Sequence, residues 1–177
     1  MENPGPTLGS GETALEGLMR HIPGFSGYLD REKRRDADRL QREFLARRVT
    51  ELKGSLQNLQ QDLLGAGNLQ MVEMLDRLGN KLDRITERIR HASYGYAGFF
   101  DLVKVNEAEL EQIYRFDLEL LSQINAAQEA LGALQMAVSS GGEGVAARLE
   151  DLRRRTDELD ARLNERDQIL KGVSGHA

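Results

Sequence analysis

The chain has 177 residues and a net charge of −5, and 30% of its residues are charged whereas only 5% are aromatic. It contains no cysteine, which excludes disulfides, thiolate metal sites and cysteine nucleophiles. The net negative charge gives no general attraction to nucleic acid or to anionic membranes, so binding to either would require a local basic patch. This composition favours long helices with large solvated faces over a compact globule with a thick core.

The start of the chain, Met1-Glu2-Asn3-Pro4-Gly5-Pro6, has neither the basic region nor the apolar core of a secretory signal. No run approaches the roughly 18 uninterrupted apolar residues that a transmembrane helix needs. Together with the lack of cysteine, these features predict a cytoplasmic location, with peripheral attachment to a membrane surface as the alternative.

Residues 1–12 are rich in glycine, proline, serine and threonine, and we predict that they are disordered. Residues 13–23 predict a short amphipathic helix, because Thr13 and Glu16 have the spacing of a capping box. A helix of about two turns is not stable alone in water, so it would dock on the protein, dock on something else or fray. Its apolar residues form a candidate membrane anchor: Leu15, Leu18, Met19 and Ile22.

Residues 24–171 carry four stripes of apolar residues that are spaced alternately three and four apart. Such a repeat places an apolar stripe along one side of a helix, and that stripe must bury against other helices. We predict an all-α fold: an elongated antiparallel helical bundle of coiled-coil hairpins, with four main helices after the short N-terminal one. The main helices are expected at about residues 29–64, 68–91, 106–138 and 143–171, followed by a frayed tail at 172–177.

The connection Gly65-Ala66-Gly67 is so short that the first two long helices must run antiparallel. Asn68 follows it as a candidate N-cap for the second of these helices. The spacing leaves open whether the last two helices fold back on the first two or extend away from them.

The first long helix has a break in its apolar stripe. Ala37, Leu40 and Phe44 point to one side, whereas the stripe from Leu45 onward points roughly 90° away. Such phase shifts occur where a helix changes its packing partners. We therefore predict that the first half of this helix packs against different neighbours from the second half.

All nine aromatic residues fall in two windows, one at residues 25–44 and one at residues 94–116. In an antiparallel hairpin these windows lie at the same end of the molecule, where the aromatic and glycine residues of one window would face those of the other. Aromatic side chains favour interfaces because they bury a large apolar area. We expect either a local core that caps the bundle or a partner-binding surface formed by Phe25, Tyr28, Tyr94, Tyr96, Phe99 and Phe100.

Charge also separates along the chain. Residues 31–53 carry nine basic and five acidic residues, whereas residues 101–130 carry two basic and seven acidic residues. The two helices that contain these segments are expected to lie side by side with complementary faces. Arg31, Arg35 and Arg42 lie close together on the helix circumference. They form a candidate basic patch for phosphates or an acidic partner, or a solvated face paired with the chain's own acids.

No pattern in the sequence predicts catalysis or a cofactor. Glu87 and His91 are four residues apart, but a di-iron bundle needs two Glu-x-x-His pairs and further inward carboxylates. No glycine-rich phosphate loop follows a predicted strand. We expect no enzymatic activity, no cofactor, no metal and no small-molecule substrate.

The leading functional hypothesis is a non-enzymatic interaction or scaffold protein that self-associates and engages a protein partner through its aromatic end. The alternative is a peripheral membrane protein anchored by its N-terminal helix. A short amphipathic helix before long coiled-coil hairpins resembles the layout of phage-shock and ESCRT-III-type membrane remodellers, although the resemblance carries no motif. Nucleic-acid binding is the third hypothesis and depends only on the arginine patch.

Overall fold

The computed structural model describes the backbone of residues 13–27, 34–91, 107–140 and 143–174, and the side chains of residues 13–27, 36–91, 110–140 and 143–165. Helices account for 90% of the described residues, and no strand occurs among them. The prediction of an all-α fold is therefore confirmed for this part of the chain. Residues 1–12 lie outside it, so their predicted disorder stays a prediction.

Five helices follow one another in the described part of the chain, and their bounds lie close to those expected from the sequence. They are α1 (Ala14–His21), α2 (Arg34–Gly65), α3 (Leu69–His91), α4 (Glu107–Ser139) and α5 (Val145–Ser174). Helix α5 extends to Ser174, slightly beyond the end expected at about residue 171, and the predicted fraying of the tail stays a prediction. Within the described ranges, no helix combines the length and the apolar character needed to cross a membrane.

Helices α2 and α3 pack side by side in opposite directions. Arg42 near the start of α2 donates a hydrogen bond of 2.7 Å to the carbonyl of Arg90 at the end of α3. Halfway along, the Lys53 ammonium lies 2.6 Å from a carboxylate oxygen of Asp83. The short connection therefore reverses the chain as predicted, and it returns the end of α3 to the start of α2.

The second pair of helices lies against the first, which answers the question that the sequence left open. Helix α4 runs parallel to α2, because Arg48 bonds to Asn125 at 2.9 Å and the amide of Gln135 donates to the carbonyl of Ser55 at 3.4 Å. Helix α5 runs parallel to α3, because Lys81 pairs with Asp157 at 2.6 Å and the later Arg88 pairs with the later Asp160 at 2.6 Å. Helices α4 and α5 also pack on each other. The helices that contain the basic and the acidic segment therefore lie side by side as expected, but Arg48 bonds across this contact to the amides of Asn125 and Gln128 and not to acids.

The main core lies between these four long helices and is made of the apolar stripes. Every member of the clearest stripe is at most 4% exposed: Leu45, Val49, Leu52, Leu56, Leu59 and Leu63. Thr156 interrupts the stripe of α5 but is buried, and its hydroxyl donates to the carbonyl of Leu152 at 2.9 Å. This internal hydrogen bond satisfies the hydroxyl, which explains why a polar residue is tolerated at that position.

A second, smaller core lies next to the first turns of α2, and we call it the α1 core. It buries the apolar face of α1 against the start of α4 and against Ala37 of α2, while the stripe from Leu45 onward belongs to the main core. Phe44 contacts both cores. The predicted change of packing partners along α2 is thus confirmed. The members of the α1 core are Ala14, Leu18, Ile22, Phe25, Ala37, Leu110, Ile113, Tyr114 and Leu118.

The turn between α2 and α3 depends on one glycine. The amide of Asn68 donates to the carbonyl of Leu63, the amide of Gly67 donates to that of Leu64, and Gly67 has a φ of +76°. This is the Schellman arrangement, in which a residue in the left-handed region ends the helix. The side chain of Asn68 then accepts from the amide of Met71 at 3.3 Å, as predicted for an N-cap.

Replacing the two glycines of this turn by alanine should change the stability of the protein differently. Nothing lies within 4 Å of a Cβ added at Gly65 or at Gly67, and only Gly67 has a positive φ. We expect Gly67→Ala to lower the free energy of unfolding by about 1 kcal/mol, because an L side chain is strained there. Gly65→Ala should leave it unchanged or raise it by up to about 1 kcal/mol, since alanine favours the helix. Urea denaturation followed by circular dichroism measures both, and equal changes would contradict this account of the turn.

Candidate functional site

The candidate site is the end of the molecule where α1 meets the first turns of α2 and α4, and we call it the α1 end. The capping box predicted for α1 is present: the amide of Glu16 donates to the Thr13 hydroxyl at 3.3 Å, and the amide of Thr13 donates to the Glu16 carboxylate at 2.8 Å. The hydrogen bond from the Thr13 amide lowers the pKa of Glu16. The start of α1 is therefore fixed by its own residues.

A close approach between backbone and side chain seats α1 on α4. A Cβ added at Gly17 would lie 3.1 Å from a methyl carbon of Leu118, so a side chain here would require Leu118 to move by a small amount. One turn later, the Nδ1 atom of His21 lies 2.8 Å from the carbonyl oxygen of Gly17. This contact occupies one ring nitrogen of His21 at the end of the helix.

The chain leaves α1 through Gly24 and Gly27, whose φ values are +80° and +81°. A Cβ at Gly27 would lie 2.8 Å from Leu15 and 2.9 Å from the hydroxyl of Tyr114, so this position excludes any larger residue without rearrangement. Phe25 between them is 3% exposed, and its ring lies edge-on to Tyr114 with the centroids 6.5 Å apart. Phe25 is thus part of the α1 core.

The ring of Phe25 is buried against Tyr114, whereas the predicted partner-binding surface would require it to be exposed. The alternative raised by the sequence, a local core, describes Phe25 better. The other predicted partner-binding residues lie outside the described part of the chain: Tyr28, Tyr94, Tyr96, Phe99 and Phe100.

The candidate membrane anchor is largely covered by the protein. Leu18 and Ile22 are buried in the α1 core, Leu15 is half-buried, and Met19 is 49% exposed. Lipid could therefore reach most of this apolar face only after α1 had separated from α4.

The environment of Arg42 also differs from that expected for an exposed basic patch. Its side chain is buried, its Nε donates to the carboxylate of Asp38 at 2.7 Å, and its Nη1 donates to the carbonyl of Arg90. That carbonyl is one of the last four of α3, which have no partner within their own helix. Arg42 thus joins the two helices of the first pair. The side chains of Arg31 and Arg35 lie outside the described residues.

Buried polar residues at the α1 end were not predicted from the sequence. Asp38, Gln41, Arg42 and Asp117 are all buried, and neither amide atom of Gln41 has a hydrogen-bond partner among the described residues. Their burial could have been inferred from the spacing, because residues 38, 41 and 42 continue the stripe of Leu45 towards the N-terminus. The stripe continues in register, but its residues change from apolar to polar.

Open grooves between the described residues at this end carry arginines in their walls, as two examples show. One has a volume of about 380 Å³ between α1, α2 and α4 and is lined mainly by His21, Pro23, Phe44, Arg47, Leu121 and Asn125. The other, of about 510 Å³, lies along α2 and α3 and is lined by Arg39, Arg42, Glu43 and Arg90. Within the ranges that the structure covers, no three His, Cys, Asp or Glu residues are grouped closely enough to hold a metal ion.

Two arginines three residues apart on α2 should contribute very differently to stability. Arg42→Ala removes the cation beside the buried carboxylate of Asp38, and we expect a loss of about 3–5 kcal/mol in the free energy of unfolding. The matched variant Arg39→Ala removes an exposed contact of 3.5 Å with Asp36 and should cost at most about 1 kcal/mol. Chemical denaturation compares the two, and similar losses would show that the Arg42 contacts have no special role.

Comparison of the chain with protein-family models, with curated proteins and with solved structures gave no match. The chemistry of the α1 end is accordingly inferred from its own residues. These are an apolar core that fixes α1, buried polar side chains beside it, and two grooves whose walls carry guanidinium groups.

Proposed function

We propose that this protein is a non-enzymatic interaction or scaffold protein, built as an elongated antiparallel bundle of coiled-coil hairpins, that engages a protein partner through the α1 end. The observation that carries the proposal is the convergence of four helices there. Helix α1 is fixed on α4, and Arg42 of α2 is bonded to the end of α3. A rigid composite surface of this kind lowers the entropic cost of binding a partner.

Self-association is part of the same proposal, and it is supported at the opposite end of the molecule. Leu64 and Leu69 flank the turn between α2 and α3 and are 57% and 66% exposed. Exposed apolar side chains that form a contiguous patch mark contact sites, so this turn is the candidate surface for contact between copies. Contact between copies through this turn would leave the α1 end free for a different protein.

The aromatic residues of the second window supply the test. We expect a triple variant with Tyr94, Tyr96 and Phe100 replaced by alanine to lose the partner that the wild-type protein retains in a pull-down, because aromatic anchors dominate binding energies. A matched variant with Leu64, Leu69 and Met136 replaced by alanine should still retain the partner, since those exposed side chains lie away from the α1 end. Circular dichroism must show helical folds for both. Retention of the partner by a folded aromatic variant would contradict the proposal.

The membrane alternative requires α1 to leave α4, because Leu18 and Ile22 are buried between them. The chain has no cysteine, and a Cβ at Gly17 would face the side chain of Leu118, so Gly17→Cys with Leu118→Cys introduces a single facing pair. Oxidation of this pair, verified by mass spectrometry, locks α1 on α4. We expect neither the reduced nor the oxidised form to float with vesicles that contain anionic phosphatidylglycerol. Flotation of the reduced form that oxidation abolishes would favour the membrane function instead, because the lock acts only on the release of α1.

A further inference from the structure

We propose that the groove between α1, α2 and α4 binds a linear peptide segment in which a carboxylate side chain neighbours an apolar one. We call this feature the α1 groove and define it by His21, Pro23, Phe44, Arg47, Arg48 and Leu121. The inference rests on the proposed interaction function and adds to it the surface and the chemistry of the partner.

The apolar part of the groove can receive one apolar side chain. Leu121 belongs to the main core, Phe44 is half-buried between the two cores, and Pro23 forms an exposed wall where the chain leaves α1. A volume of about 380 Å³ lies at the small end of the range for ligand sites. These dimensions suit a peptide side chain better than a folded domain or a broad lipid surface.

The charged part of the groove has one arginine that is held and one that is available. Arg48 donates hydrogen bonds to Asn125 and Gln128 and lies 3.1 Å from Glu51, so its guanidinium is engaged within the protein. Arg47 is exposed and makes no hydrogen bond or ion pair with any residue that the structure describes. A guanidinium presents a planar fork of donors that matches a carboxylate.

Two guanidinium groups against the single carboxylate of Glu51 give the groove a local positive charge on a chain whose net charge is −5. A local positive charge of this size favours a short acidic segment, whose single carboxylate meets the field of the groove within a few ångströms. Arg47 would pair with the peptide carboxylate while the adjacent apolar side chain enters between Phe44 and Pro23.

Panning of a phage-displayed random dodecapeptide library against the full chain tests this assignment, because such a library offers acidic, basic, polar and apolar segments alike. We expect the enriched peptides to carry Asp or Glu within two positions of Leu, Ile, Phe or Trp. A synthetic, fluorescein-labelled version of the most enriched peptide then serves as the probe in anisotropy titrations.

The decisive variant is Arg47→Glu, which alters an exposed side chain and should leave the fold intact. We expect it to weaken the probe by about tenfold or more, since loss of one charge pair and repulsion by the new carboxylate both act. Arg84→Glu is the matched control, because Arg84 is an exposed arginine on α3 outside the groove and should change the affinity by no more than about twofold. Replacing the acidic residue of the probe by lysine should restore binding to Arg47→Glu.

Failure of the library to enrich acidic-apolar peptides would overturn the assignment, as would equal affinity of the probe for Arg47→Glu and wild type. Binding of single-stranded RNA or of phosphatidylglycerol vesicles that Arg47→Glu abolishes, without peptide binding, would also overturn it in favour of a polyanion. The aromatic triple variant keeps the two proposals separate. If it loses its pull-down partner while Arg47→Glu keeps it, the interaction function stands and only the groove assignment falls.

Discussion

The architecture depends on α2 changing its packing partners between Ala37 and Leu45. Before that point, α2 supports the α1 core through Ala37, and after it the helix supplies the longest stripe of the main core. Phe44 contacts both cores, so neither can shift without disturbing the other. Because one helix serves two cores, the position of α1 is coupled to the register of the four long helices.

Burial at the α1 end is partly polar, and this has an energetic consequence. Asp38 and Arg42 form a close pair that also reaches the carbonyl of Arg90, whereas the amide of Gln41 is buried without a partner among the described residues. An unsatisfied buried amide costs about 1–3 kcal/mol, and apolar replacement of a buried ion pair is often neutral or stabilising. The net contribution of these residues to stability is therefore small, although removal of Arg42 alone would leave the carboxylate of Asp38 buried without its cation.

The proposed recognition surface is a groove, whereas the sequence suggested individual aromatic and basic side chains at the same end of the molecule. Phe25 and Arg42, which the sequence suggested for contact with a partner, are both buried and have internal roles. The surface left available beside them is a groove with an apolar floor and the exposed guanidinium of Arg47. A partner that binds there would contact a surface formed jointly by α1, α2 and α4.

The sequence alone determined the helices, the reversal at residues 65–67, the capping box of α1 and the change of phase in α2, because each follows from local periodicity or backbone conformation. It also indicated that α2 and α4 lie together, although Arg48 bonds there to Asn125 and Gln128 instead of to acids. Only the tertiary structure decided that the pairs fold together, that Lys81 and Arg88 join α3 to α5, and that Phe25 is buried. These features depend on contacts between residues distant in sequence, and a stripe shows that a side chain must be buried without showing which helix buries it.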